Sequence, residues 1–263
     1  MAINIPVVFL DADDTLWSIS PLYLEARKKL SCFIEAQFGV SKIGQLYVSN
    51  FFSCLDCARV AASKHSLERF KESILLAYAY ICGYLHYPYL VEGEKELTAY
   101  IDNLFTITPE KMKARLYPDT VPALARLSKY TLIVILTMGD AEHQLKKISA
   151  VKDVIGGYLG GVEVCAEKNK EVYKEVVKKY ANNDFSCVWM VGNSIKTDIN
   201  PAAAAGIRNL ILVSRSDVGW KEFETESPLI PDFYKVSDLI IAEKEIYKWQ
   251  IKRQNQLLMR HLL

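Results

Sequence analysis

At 263 residues with 51% hydrophobic side chains, the chain is long enough to bury one large core, or a core and a smaller appendage. Its 32 basic and 31 acidic residues leave a formal charge of +1, which excludes the global field of a nucleic-acid or polyanion binder. Any anion it takes must be held locally.

Met1 to Pro6 has no basic segment and no small-residue cleavage site, so no secretion signal is expected there. The first apolar run, Val7 to Asp11, is predicted as a buried strand. The next hundred or so residues, about Trp17 to Leu116, carry no convincing strand, far more than an ordinary connection holds. Their apolar spacing predicts helices over Pro21 to Phe38, Ile43 to Ala62, Ser66 to Tyr84 and Val91 to Phe105. Even the most apolar stretch, Ser73 to Leu85, is broken by Gly83 and falls short of the roughly 20 residues a membrane span needs. A soluble, cytoplasmic protein without membrane or nucleic-acid partners is expected.

Beyond the insert, strands are predicted at Leu132 to Thr137, Gly161 to Val164, Val188 to Gly192 and Leu210 to Val213. Helices at Thr120 to Lys129, Ala141 to Ala150, Lys170 to Tyr180 and Pro201 to Ala205 alternate with them, the last stopped by Gly206. Pro228 and Pro231 bracket a loop, and Ser237 to Leu263 reads as one long helix whose Leu257, Leu258 and Leu262 could meet another subunit, although oligomeric state is open. The expected architecture is an α/β doubly wound parallel sheet of residues 1–16 and 117–263 with an α-helical domain, 17–116, inserted.

Six cysteines scattered through apolar or helical patterns suit buried thiols better than a disulfide framework. Cys54 and Cys57 form a C-x-x-C with no second ligand pair to complete a zinc site.

The first strand runs into Asp11-Ala12-Asp13-Asp14-Thr15-Leu16-Trp17, and carboxylates crowded behind a buried strand call for a compensating cation. In open α/β sheets the ligand site lies outside the carboxyl ends of the strands, where this cluster falls. At the same edge stand Thr137-Met138-Gly139-Asp140, a turn suited to phosphate oxygens, then Glu167-Lys168-Asn169-Lys170, and Gly192-Asn193-Ser194 through Asp198. Each piece alone also reads as a cap, a solvated charge or a turn former. Their recurrence after successive strands points to a site.

These segments, D-A-D-D-T-L-W, a Thr ending the second strand, a Lys before a helix and G-N-S-x-x-x-D-I, resemble the four motifs of haloacid dehalogenase-like hydrolases. The helical insert resembles that superfamily's type 1 cap. The resemblance implies a magnesium-dependent phosphohydrolase acting on a small phosphorylated metabolite. Asp11 would be the nucleophile that forms an aspartyl-phosphate, and Asp13 the acid and base, with a raised pKa. Thr137, Met138 and Lys168 would hold the transferring oxygens. Magnesium would be bound by Asp11, Asp13, Asn193 and Asp198, with Asn193 standing where many members have Asp. Asp13 separates this pattern from true dehalogenases, which lack that acid. Lys168 is chosen over Lys170 because Tyr173 follows it at the family's spacing.

The insert would close over the site. Its Lys64, beside His65 and the helix-start Ser66, is a candidate contact for an anionic substrate, and Tyr78, Tyr80, Tyr84, Tyr87 and Tyr89 either stack on a substrate or pack between helices. A phosphonatase or phosphomutase on the same fold, and a catalytically weak phosphate-binding protein, are the alternatives.

Overall fold

A computed structural model describes residues 5–39, 42–62, 66–218, 226–230 and 232–261. Lys64 and His65 lie outside the described residues, as does Leu262; the side chains of Leu257 and Leu258 lie outside them too. The chain divides into two compact units, residues 1–18 with 108–263, and residues 19–107.

The first unit is built on the strands β1 (Val7–Leu10), β2 (Leu132–Met138), β3 (Gly161–Cys165), β4 (Val188–Gly192), β5 (Asn209–Val213) and β6 (Tyr234–Val236). They form one sheet in the order β3-β2-β1-β4-β5-β6, and all its pairings are parallel. β1 lies at the centre, with Leu10 in register with Ile135 of β2 and Val191 of β4. Sequence reading finds the five apolar strands and misses β6, whose Tyr234 and Lys235 are exposed at the sheet edge.

Side chains alternate between the faces. Val7, Phe9, Val134, Leu136, Val188, Met190, Leu210 and Leu212 form one buried layer with α9 (Lys170–Ala181) and the alanine-rich α10 (Asn200–Ala205), whose small side chains let it approach the sheet. Val8, Leu10, Ile133, Ile135 and Val191 are buried on the other face, where α6 (Thr120–Leu127) packs against α11 (Leu239–His261). α5 (Pro109–Arg115), α7 (Ala141–Ala150) and the single turn α8 (Lys152–Ile155) complete this unit. α5, which the sequence places in the insert, belongs with the sheet. Its signals were a Thr108 cap, whose hydroxyl accepts from Lys111 N, and Pro109 at the first turn.

The segments leading out of and back into this unit pair with each other: Ser18 N donates to Arg115 O at 2.9 Å and Tyr117 N to Leu16 O at 3.1 Å. Arg215 stacks 3.9 Å over the Tyr117 ring, makes two 2.9 Å bonds to Asp119 and a third, 2.8 Å, to Thr15 O. Such a fork ties the chain after β5 to the loop after β1.

The second unit comprises α1 (Ser20–Phe38), α2 (Lys42–Ala62), α3 (Leu67–Tyr84) and α4 (Val91–Leu104) around Leu30, Phe33, Phe52, Phe70, Ile74 and Tyr78. Four of the tyrosines have partners within the unit: Tyr78 lies edge-on to Phe33, Tyr80 stacks on Phe51, Tyr87 on Phe38, and the Tyr89 hydroxyl donates to Glu94 at 2.6 Å, whereas Tyr84 is 61% exposed. Gly93 leaves the room for Tyr78, since a Cβ there would lie 2.5 Å from its hydroxyl. Arg69 is buried against Asp56. The expectation of buried thiols holds only in part. Cys82 and Cys187 are buried, whereas Cys32, Cys54 and Cys57 face solvent from α1 and α2, where helical position rather than residue type decides exposure. No described helix is long and apolar enough to cross a membrane.

Candidate active site

At the carboxyl ends of β1, β2 and β4 the loops turn short and polar. Asp11 continues β1, its amide donating to Val191 O of β4 at 2.9 Å, which fixes its backbone to the neighbouring strand. Three residues on, Asp14 adopts a left-handed φ of 58° and its amide donates to Trp17 O. That reversal brings the Trp17 indole back to Asp13, Nε1 to Oδ1 at 2.7 Å. The run of carboxylates is thereby divided: Asp11 and Asp13 take side-chain donors at the strand ends, and Asp14 makes the turn.

Both oxygens of Asp11 are held, Oδ1 by Lys168 Nζ at 2.5 Å and Oδ2 by the Thr15 hydroxyl at 3.1 Å. Lys168 also donates to Asp198 Oδ1 at 2.6 Å. The other Asp198 oxygen accepts the amides of Asn193 and Ser194, each at 3.0 Å. Gly192 makes this possible, because a Cβ there would fall 2.3 Å from the Asp198 carboxylate. Asp198 itself sits in a π-helical turn, Ile195–Ile199, capped by Ser194. Asp11, Lys168 and Asp198 form a chain of alternating charge that is 7%, 4% and 0% exposed. Lysines are almost never buried unless paired, and this one has two partners. Lys170 is exposed on α9, with Asn169 as the cap. The Tyr173 hydroxyl donates to Thr197 O.

Thr137 is 1% exposed at the end of β2, and the cap of α7 is Asp140 rather than Thr137. Met138 follows it, and Gly139, at φ 136°, turns the chain towards α7. Asn193 is 4% exposed, and its side-chain amide has no hydrogen-bond partner among the described residues.

The electrostatics separate the two acids. Burial pushes the Asp11 carboxyl up to about 7 against the pull of Lys168, with Asp198 and Asp13 adding repulsion. Lys168 is itself driven up, because Asp11 and Asp198 outweigh its desolvation. Asp13 moves opposite to the sequence expectation. Burial acts to raise it, but Lys147 at 2.5 Å, with bonds from Gln144 and Trp17, holds it below the usual carboxylate range. The expected rise failed because α7 supplies a buried cation. The signal for it was present: Gln144 and Lys147 are polar residues one turn apart on the face that also buries Ile148.

A buried carboxylate paired to a lysine, a second acid two residues away and a hydroxyl on the next strand are the parts a covalent hydrolase needs. The sequence profile of haloacid dehalogenase-like hydrolases matches residues 5–206, more than half of the chain. The chain belongs to this family. Among solved structures, a haloacid dehalogenase-like hydrolase from Xanthomonas campestris superposes with a TM-score of 0.72 at 17% identity, over 96% of this chain and 99% of that one. The HAD hydrolase YfnB from Bacillus subtilis, bound to magnesium, gives 0.63 at 14% identity, over 92% and 98%. The L-2-haloacid dehalogenase from Xanthobacter autotrophicus with chloropropionic acid covalently bound gives 0.53 at 16%, over 92% and 98%. No curated protein sequence matches the chain. At these identities the structures share the fold, and both the hydrolase and the dehalogenase lie within it.

Proposed function

We propose that the protein is a magnesium-dependent phosphatase that cleaves a small phosphate monoester through an aspartyl-phosphate on Asp11. The observation that carries this reading is Asp13, a carboxylate fixed two residues from the nucleophile. Displacing a halide needs no proton donor, whereas expelling an alkoxide from phosphorus does. Asp11 attacks phosphorus in line with the leaving oxygen, the phosphorus–oxygen bond breaks, and the leaving oxygen takes its proton from Asp13, which has to take that proton up against the pull of Lys147 before the step. Asp13, now a carboxylate, takes a proton from water, whose oxygen attacks phosphorus and frees Asp11. Thr137, the Met138 amide and Lys168 hold the transferring oxygens, and Lys168 balances Asp11 and Asp198. In this reading the helical unit supplies the selectivity for the leaving group. Lys64 belongs to that unit in this reading.

No described cluster of three or more His, Cys, Asp or Glu side chains makes a metal site. The donors that fit magnesium are a mixed oxygen set: the Asp11 carboxylate, the Asp13 carbonyl, the Asn193 amide oxygen and Asp198. The Asn193 amide, which has no hydrogen-bond partner among the described residues, can give an oxygen. Asp198 is committed to Lys168 and two loop amides, and keeps only a lone pair on Oδ1 to share. Bound there, the ion offsets repulsion between nucleophile and phosphate. Titrating magnesium against rate checks this assignment. Asn193→Asp reaches half-maximal rate at lower magnesium than wild type and Asn193→Ala at higher; three superimposable curves would remove Asn193 from the set.

The reading itself is tested with p-nitrophenyl phosphate and 2-chloropropionate. Phosphate release that requires magnesium, with no chloride release, is expected. Chloride release without metal would make the chain a dehalogenase instead. Asp13→Asn is expected to lose turnover more severely for alkyl than for p-nitrophenyl esters, since only the former need a proton on departure.

A further inference from the structure

Gln144 and Lys147 lie outside the four motifs, yet they are 5% and 3% exposed on the inner face of α7. The Lys147 ammonium is 2.5 Å from Asp13 Oδ2. The Gln144 amide nitrogen carries two hydrogens and places both: one on Asp13 Oδ2 at 3.1 Å, the other on Met138 O at 2.8 Å. With the Trp17 indole on Oδ1, the Asp13 carboxylate has three donors on two oxygens. Gly139 shapes this contact, because a Cβ at that position would sit 3.0 Å from the Gln144 nitrogen.

An unrestrained aspartate exchanges among staggered rotamers, and each exchange swings its oxygens away from any fixed point. A displacement of about 1 Å at a reacting group can lower a rate roughly a hundredfold. A buried lysine–carboxylate pair, by contrast, adds little stability over apolar side chains of the same size. The geometric role is therefore the larger one. Gln144 adds what a simple ion pair lacks, a single amide that spans the acid and the last residue of β2, next to Thr137.

We propose that Lys147 and Gln144 are positioning residues that lock the Asp13 carboxylate in register with the phosphate-holding end of β2. The proposal rests on the phosphatase reading. Its test compares phenyl phosphate with p-nitrophenyl phosphate in wild type, Lys147→Met, Lys147→Arg and Gln144→Leu, each also made with Asp13→Asn. Lys147→Met is expected to lower kcat/KM roughly 30-fold for the poorer leaving group and about threefold for the better one, with Lys147→Arg recovering most of the difference. In the Asp13→Asn background the same change costs less than about twofold, since nothing remains to position. Gln144→Leu, which removes no charge, gives the same pattern at smaller size and carries the test if Lys147→Met does not fold. Equal losses on both substrates, or full additivity with Asp13→Asn, overturn the positioning role while an active wild type and a dead Asp11→Asn leave the phosphatase reading intact. A wild type that turns over neither ester removes both.

Discussion

Asp11→Asn is expected to lose phosphatase turnover by more than about a thousandfold, roughly 4 kcal/mol of barrier, without losing its fold. The amide has the carboxylate's shape and its oxygen still accepts from Lys168, but it carries no anionic nucleophile. The same substitution should raise the melting temperature in chelator-treated protein at neutral and higher pH. The folded-state pKa of Asp11 is about 7 against an ordinary 3.8, so the folded protein binds this proton more tightly than the unfolded chain. Stability from that proton is present below the ordinary value and is lost as pH rises through the folded one. Asn at this position removes the charge that burial opposes. Its melting advantage should therefore be full above pH about 7 and vanish below about 4. Retention of more than a few percent of wild-type rate would reassign the nucleophile. A mutant that melts lower than wild type at every pH would show that the Lys168 ion pair outweighs the burial of Asp11.

Much of the fold and part of the site were legible in the sequence, for definable reasons. A parallel strand covered on both faces is apolar throughout, so Val7–Leu10 and Val188–Gly192 announce themselves. Tyr234–Val236 does not, because an edge strand needs no such run. The reason for one motif glycine came only from the structure: Gly192 stands before Asn193 because the Asp198 carboxylate occupies the space a side chain would take. The electrostatics were not legible. Nothing next to Asp13 in sequence states that a lysine 134 residues later lies against it. The partner became findable only once α7 was seen to bury Gln144 and Lys147 beside Ile148, a break in amphipathic pattern that propensity alone ignores. The same limit applies to the tyrosines of the insert, which read equally as ligand or packing until Phe51, Phe38 and Phe33 are found against them.

Lys168→Met is expected to be the most destabilising single change at the site. The ammonium lies between two carboxylates that are almost wholly buried, and methionine of similar length removes its charge without leaving a large void. Breaking a buried pair by deleting one partner typically costs about 3–5 kcal/mol, because the remaining charge has no compensation. Here Asp11 and Asp198 are left facing each other across the vacated position. Urea melts should show that loss in full above neutral pH and a smaller one as pH falls, where Asp11, raised to about 7 even beside the lysine and higher without it, protonates and relieves the repulsion. Asp198 has the Asn193 and Ser194 amides to fall back on, so most of the penalty should trace to Asp11. Adding Asp11→Asn to Lys168→Met is accordingly expected to restore more than half of the lost stability, and none of the activity. Strict additivity of the two substitutions would mean that the lysine stabilises the fold through Asp198 and its loop, and that Asp11 is held by Thr15 and the β4 carbonyl without it.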